Sequence, residues 1–247
     1  MRIALIGFGG MGKTLHRIAI SRGHTVKTII DPKDPSATHK DVSTDALKEV
    51  DIAIDFSSPD AVLTNAKTAN ESGTNLVIGT TGWYDHLPEL KGIMNENKIG
   101  LLWSSNFSIG VNLYFAIIEK AAKLINNFDE YDVWGHEIHH YNKADSPSGT
   151  AKTLGKILLD NIERKTSVVE DRLNRKREPN EIHFSSVRGG LVNFGHTVGF
   201  DSEADTITIS HNARNRDGYA LGAIKAAEWL NGKKGLYEMK DFLNFNK

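Results

Sequence analysis

The chain has 247 residues, 39% of them hydrophobic, with 30 basic against 31 acidic side chains, a formal net charge of -1 and no cysteine. Near-neutral charge offers no field for nucleic acid or an anionic membrane surface, and the lack of cysteine removes disulfides, thiolate zinc sites and cysteine nucleophiles. No apolar run approaches the roughly 20 residues that cross a bilayer, and a strand begins at once without a signal-type stretch, so we expect a soluble cytoplasmic protein of one large or two small domains.

The first hundred residues alternate short apolar runs with longer amphipathic ones. Strands are predicted at 3–6, 26–30, 51–56, 76–78 and 100–103. Helices are predicted at 11–22, 59–72 and 86–97. Strand–helix alternation of this kind implies a parallel sheet with crossover helices. After Asn106 the pattern changes. A helix over 111–125 carries apolar Leu113, Ile117, Ala121 and Leu124 on one face. A strand follows at 131–138, a helix at 150–164, then strands at 182–187, 192–200 and 206–211. The segment 166–180 is charged and weakly periodic and reads as a loop. An Ala-rich helix over 218–230 closes the pattern, with Leu221, Ile224, Ala227 and Leu230 in register.

Gly7-Phe8-Gly9-Gly10-Met11-Gly12 matches G-x-G-x-x-G between a strand and a helix, the context that a dinucleotide fingerprint requires. Glycines allow a tight turn and close approach of backbone to a pyrophosphate, and the helix start offers free N–H groups to that anion. Asp31 ends the second strand near the position of a ribose-binding acid. Such a carboxylate favours NADH, while the neighbouring Lys33 tolerates NADPH, so NADH, NADPH or both are expected. Asp31 also reads as a surface turn residue before Pro32. Gly79-Thr80-Thr81-Gly82 and Ser104-Ser105-Asn106-Phe107 each follow a strand, where open α/β sheets collect ligands. Gly79, Thr80, Thr81, Ser104, Ser105, Asn106 and Phe107 therefore join the candidate cofactor residues.

The densest chemistry lies between Glu137 and Ala151. His139, His140 and Lys143 sit at the end of a strand, and a helix begins near Ser148, which is suited to cap it. Gly149 and Thr150 then supply free backbone N–H groups to a carboxylate. Cationic side chains beside such a helix start suit an acidic substrate; a solvated surface loop is the plain alternative. Adjacent histidines on a strand point to opposite faces, and no third ligand stands at zinc-type spacing, so no metal is expected.

The stretch Glu137-Ile138-His139-His140 through Lys143, followed by Asp145-Ser146-Pro147-Ser148-Gly149-Thr150-Ala151, resembles the signature of the dihydrodipicolinate reductase family. Asn106 to Asn112, Val187-Arg188-Gly189-Gly190, Gly195-His196-Thr197, Ile207 to His211, Gly222-Ala223 with Ala227 to Leu230, and Gly235 to Met239 resemble its other segments. The departures are local. Met11 follows Gly10 directly, where the family commonly carries an extra arginine, and Asp31-Pro32-Lys33 replaces an acid–arginine pair.

The resemblance implies an NAD(P)H-dependent reductase converting 4-hydroxy-tetrahydrodipicolinate, a small cyclic dicarboxylate, in lysine and diaminopimelate synthesis. It implies His139 and Lys143 as catalytic acid–base groups, and His140, Gly149 and Thr150 as substrate-binding positions. Arg216 reads as a carboxylate clamp or a surface residue. The expected architecture is a Rossmann-type doubly wound α/β domain, 1–106 plus 217–247. Into it is inserted an α+β substrate and oligomerisation domain of mixed sheet, 107–216, with hinges near Asn106 and Arg216 and a homotetramer as the assembly. The rival readings are an amino-acid dehydrogenase such as aspartate dehydrogenase, and a nucleotide-sensing regulator without chemistry.

Overall fold

The computed structural model describes residues 1–96 and 98–244; of the predicted elements, the end of the third helix at Asn97 and the tail 245–247 lie outside them. Two compact units emerge: the described residues of Met1–Ile109 with those of Arg216–Lys247, and Gly110–Asn215.

In the first unit, strands β1 (Arg2–Ile6), β2 (Thr25–Ile30), β3 (Ile52–Asp55), β4 (Asn75–Ile78), β5 (Gly100–Trp103) and β11 (Gly235–Glu238) form one sheet in the order β11-β5-β4-β3-β1-β2. Every pairing is parallel. Such sheets bury both faces, and β1 shows how. Its alternate residues Ile3 and Leu5 enter a core with Leu15 and Ile18 of α1 (Gly10–Ser21) and the alanines of α6 (Asp217–Leu230). Ala4 and Ile6 enter a second core with Val62, Ala66 and Ala69 of α2 (Val62–Ser72) and Leu90 of α3 (Leu87–Ile93). Strand β11 was not predicted. Its four residues, all half-buried, lie on the sheet edge beside β5, and so short an edge strand carries no periodic signal.

The second unit pairs α4 (Ile109–Ile125) and α5 (Gly149–Asn161) with a five-stranded sheet in the order β10-β9-β6-β8-β7. Strand β6 (Asp132–His139) runs antiparallel to β9 (Gly195–Asp201) and parallel to β8 (Glu181–Arg188). Strand β10 (Thr206–Asn212) completes one edge. The other edge is β7 (Ser167–Val169), which corrects the reading of 166–180 as wholly loop: three residues pair in parallel with β8. One face of this sheet packs Val133, Ile182, Phe184, Val198 and Phe200 against both helices.

Helix α4 buries Val111, Tyr114, Ile118, Ala122 and Ile125. The apolar face read from the sequence is the outward one, with Ile117 52% and Leu124 66% exposed. This helix is apolar on two sides, so periodicity does not choose which side meets the sheet.

Candidate active site

The glycine turn is shaped by its neighbours. Gly7 has φ 88°, and a Cβ there would stand 2.3 Å from the Phe56 carbonyl oxygen; one at Gly12 would stand 2.2 Å from the Gly7 oxygen. Both positions therefore require glycine. Gly9 faces open space and caps α1 without a side chain, and no acidic residue occupies the first turn, so the N–H groups of the helix start are free for an anion. The Arg216 guanidinium reaches to 3.8 Å from a Cβ built at Gly10, which places it at this turn.

Around the turn lies a cavity of about 420 Å³ whose lining includes Gly7, Gly9, Asp31, Lys33, Lys40 and Ser57. Asp31 accepts hydrogen bonds from the backbone of Phe8 (2.8 Å), Lys33 (2.8 Å) and Asp34 (2.9 Å). The Phe8 amide first, then the other two, hold its carboxyl below the usual range. Both of its oxygens thus tie the glycine turn to the loop after β2.

The two further strand-end loops join this rim differently from each other. Thr80 is buried: its hydroxyl accepts from the Ser57 amide and donates to Asp55, a buried carboxylate also held by Asn65. Gly79 lies against the Phe56 ring, and Thr81 is exposed. Ser104 and Asn106 close a turn on themselves, Ser105 is exposed, and Phe107 is buried with its ring 6.1 Å from that of Phe56. Phe8 is likewise mostly buried, and Met11 is half-buried. The exposed members of this set are Gly9, Gly10, Thr81 and Ser105.

In the second unit, β6 alternates inward Val133, Gly135, Glu137 and His139. His139 is 1% exposed, with its ring 5.4 Å from Phe194 and 5.1 Å from His196. Burial, its largest influence, pushes it down to about 4, so it is neutral at physiological pH. His140, just past the strand, is half-buried. Lys143 is tied at 2.6 Å to Asp145, whose carboxyl it holds low, and its side chain is 18% exposed, less than a surface residue.

Ser148 caps α5 by accepting from the Ala151 amide at 3.2 Å. Gly149 and Thr150 open the helix, with open space where a Cβ would lie on Gly149. The loop 137–151 thus brings an imidazole, an ammonium and a helix start together.

Sequence reasoning missed three partners of His139. Glu137 is fully buried and lies 3.2 Å from His139 Nε2 and 3.3 Å from His196 Nε2. Arg188 donates to Glu137 at 2.8 Å. The strand period put Glu137 and His139 on one face and was a usable signal; His196 and Arg188 arrive from other strands. Glu137, His139 and His196 each place a ligand-type atom within 4.8 Å of the others, so the third group for a metal comes from a distant strand, which local spacing does not reveal.

A parallel sheet with a glycine turn into a bare helix start, in one chain with an imidazole–ammonium–amide site, defines a nucleotide-dependent oxidoreductase. Two family models match: the dihydrodipicolinate reductase N-terminus over residues 1–107 and its C-terminus over 110–243. The chain belongs to the dihydrodipicolinate reductase family.

It is 38% identical over 244 residues to the 4-hydroxy-tetrahydrodipicolinate reductase of Christiangramia forsetii, covering 99% of this chain and 98% of that one. It is also 38% identical to the same-named protein of Ralstonia pickettii, covering 98% and 99%. In fold it is similar to a dipicolinate-bound dihydrodipicolinate reductase from Paenisporosarcina sp. TG-14, with TM-score 0.79, 21% identity and 98% of each chain covered. An amine dehydrogenase from Mycobacterium smegmatis shares the fold at TM-score 0.62 and 11% identity, over 96% of this chain and 94% of that one. No helix among the described residues is long and apolar enough to cross a membrane.

Proposed function

We propose that this enzyme converts 4-hydroxy-tetrahydrodipicolinate to tetrahydrodipicolinate in lysine and diaminopimelate synthesis: the 4-hydroxyl leaves as water, and the unsaturated ring so formed takes up one hydride and one proton. The single observation that carries the reading is the loop 137–151, where His139, Lys143 and the start of α5 occupy one strand-to-helix connection.

The cofactor is a nicotinamide dinucleotide. The cradle at Gly7 and Gly12, too narrow for any Cβ, and the bare start of α1 fit its pyrophosphate. Gly9, Gly10, Met11 and Arg216 would hold that group. Gly79, Thr80, Thr81, Ser104, Ser105, Asn106 and Phe107 would form the rest of the rim, with the buried members shaping it and the exposed ones making contact. When bound, the nicotinamide supplies hydride. Lys33 and Lys40 line the cavity, and the Asp31 charge is already satisfied by amides, so we infer that NADPH is accepted as well as NADH.

The dicarboxylate is held by His140 and by the amides of Gly149 and Thr150, where the helix dipole favours an anion. Lys143, with three N–H donors, gives the proton that the reduced ring requires, and Asp145 aims its amine. His139 is the neutral imidazole through which the proton is returned. We further propose residues 1–106 with 217–247 as the nucleotide domain and 107–216 as the substrate domain, a homotetramer assembled through the second sheet, and a cytoplasmic location.

Steady-state oxidation of NADH and of NADPH, followed by the near-ultraviolet absorbance of the reduced nicotinamide, tests the reading with the cyclic precursor as substrate. Wild type turns over with both cofactors. Lys143→Ala lowers kcat by roughly 10²–10⁴-fold, the range of a general acid, with circular dichroism unchanged. Near-normal kcat in that variant would remove the proton-donor role, and inertness of the wild-type protein toward the precursor would remove the substrate.

A further inference from the structure

We propose that Glu137 is the positioning residue of the substrate unit. Its Oε2 selects the His139 tautomer that carries the proton on Nε2, while its Oε1 holds the head of α5. One buried carboxylate then orients the imidazole and the anion-binding turn together. The kinetic part rests on the reductase reading; the structural part stands without it.

The register of the sheet places Glu137 at a junction. It lies directly opposite His196 of β9 and opposite Ser186 of β8, while Arg188 lies opposite His139. Oε1 accepts from Arg188 Nη2 at 2.8 Å, Ser186 Oγ at 2.9 Å and the Ser148 amide at 3.1 Å. Oε1 is therefore saturated, and it is the atom that fixes the cap residue of α5. Among the described residues, Oε2 faces only His139 Nε2 at 3.2 Å and His196 Nε2 at 3.3 Å.

Five atoms in this cluster are buried without a completed hydrogen bond: Glu137 Oε2, both ring nitrogens of His139, His196 Nδ1 and Arg188 Nε. Buried polar atoms left unpaired cost about 1–3 kcal/mol each, so such a group calls for an explanation. A carboxylate accepts and does not donate. A neutral imidazole facing Oε2 must therefore present its proton on Nε2, which leaves Nδ1 as the basic nitrogen. Burial tends to raise the Glu137 carboxyl, but the contacts with His196, Ser148, Arg188 and Ser186 hold it well below the usual range, so it remains an acceptor. His196 Nε2 also lies 3.2 Å from Ser148 Oγ, which closes the link between the imidazoles and the cap.

The charged groups around His139 agree with this assignment. Glu137 is the acid that acts most strongly on its ring; His196, Lys143 and Arg188 all oppose a second proton there. A divalent ion in the triad would have to sit beside the Arg188 guanidinium, which already neutralises the carboxylate.

The test is nitrogen-15 NMR of the histidine rings in uniformly labelled protein at pH 7, for wild type, Glu137→Gln and His196→Asn, alongside kinetics. In wild type, His139 is expected as one tautomer with Nε2 protonated. Glu137→Gln mixes or reverses the tautomers. By analogy with wrong-tautomer variants of catalytic triads, it lowers kcat by about 10²–10⁴-fold. KM for the dicarboxylate moves less, because glutamine keeps an acceptor for the Ser148 amide. His196→Asn leaves the His139 tautomer in place and lowers kcat less.

A His139 protonated on Nδ1 in wild type overturns the proposal with no variant needed. So does a tautomer that is the same in Glu137→Gln. Stoichiometric zinc binding lost in His196→Asn overturns it in favour of a metal site. A wild-type protein inert toward the precursor but with the expected tautomer overturns the substrate reading alone.

Discussion

Three backbone amides converge on the Asp31 carboxylate, and one of them, from Phe8, belongs to the glycine turn. The first duty of this acid is thus to the loop, and any ribose contact comes in addition. Hydrogen bonds to a charged group are worth about 1.5–3 kcal/mol, so Asp31→Ala is expected to raise KM for NADH and NADPH alike by roughly tenfold or more. Parallel titrations of the two nucleotides decide it; a loss confined to NADH would mean that ribose recognition dominates. His139 carries a prediction about pH. Its folded value of about 4 lies below the ordinary 6.5, so between these limits the unfolded chain binds a proton that the folded chain refuses. Its contribution is fully present above about pH 6.5 and is lost as pH falls toward 4, a change of order 1–3 kcal/mol. Denaturant titrations from pH 7.5 to 4 should show this slope, and His139→Asn should flatten it.

Among the elements, α5 depends most on a single side chain. Ser148 accepts from Ala151, lies against His196 and gives its amide to Glu137. Ser148→Ala removes the cap and the hydroxyl contact but keeps the amide, so stability should fall by about 1–2 kcal/mol. KM for the dicarboxylate should rise with it as the first turn frays. Urea melts and initial rates on one preparation measure both effects; a stable variant with unchanged KM would detach the cap from substrate binding. The elements were legible in uneven degree. Strand β1 and the glycine turn could be read because a strand, a turn and a helix follow within one short stretch. Strands β7 and β11 could not, since three or four edge residues leave no period to detect. Helix α4 was seen, but with apolar residues on two sides its inward face was not decided locally.

For the whole molecule, the open question of assembly turns on the second sheet. Its helices cover one face; the other presents Trp134, His136 and Ile138 of β6, all half-buried, and Val187 of β8, which is 47% exposed. A face of this kind, with aromatic and aliphatic side chains between threonines, is suited to a second copy of the sheet. Val187→Glu places a charge in the middle of that face. It should shift the protein from the proposed tetramer to smaller species in sedimentation velocity, with secondary structure retained. A variant that sediments as the wild type would remove this face from the interface.

Neighbours in the chain carry what is local: the strand–helix rhythm of the first hundred residues, the glycine turn, and the His139–Lys143–Ser148 connection. Distant contacts come from the fold. The register of three strands sets Glu137 against His196 and Arg188, the fold turns Asp31 toward backbone amides, and packing selects the inward side of α4. Periodicity encodes which residues share a face, whereas strand pairing across some 50 residues decides which faces meet, and no short-range pattern records that choice.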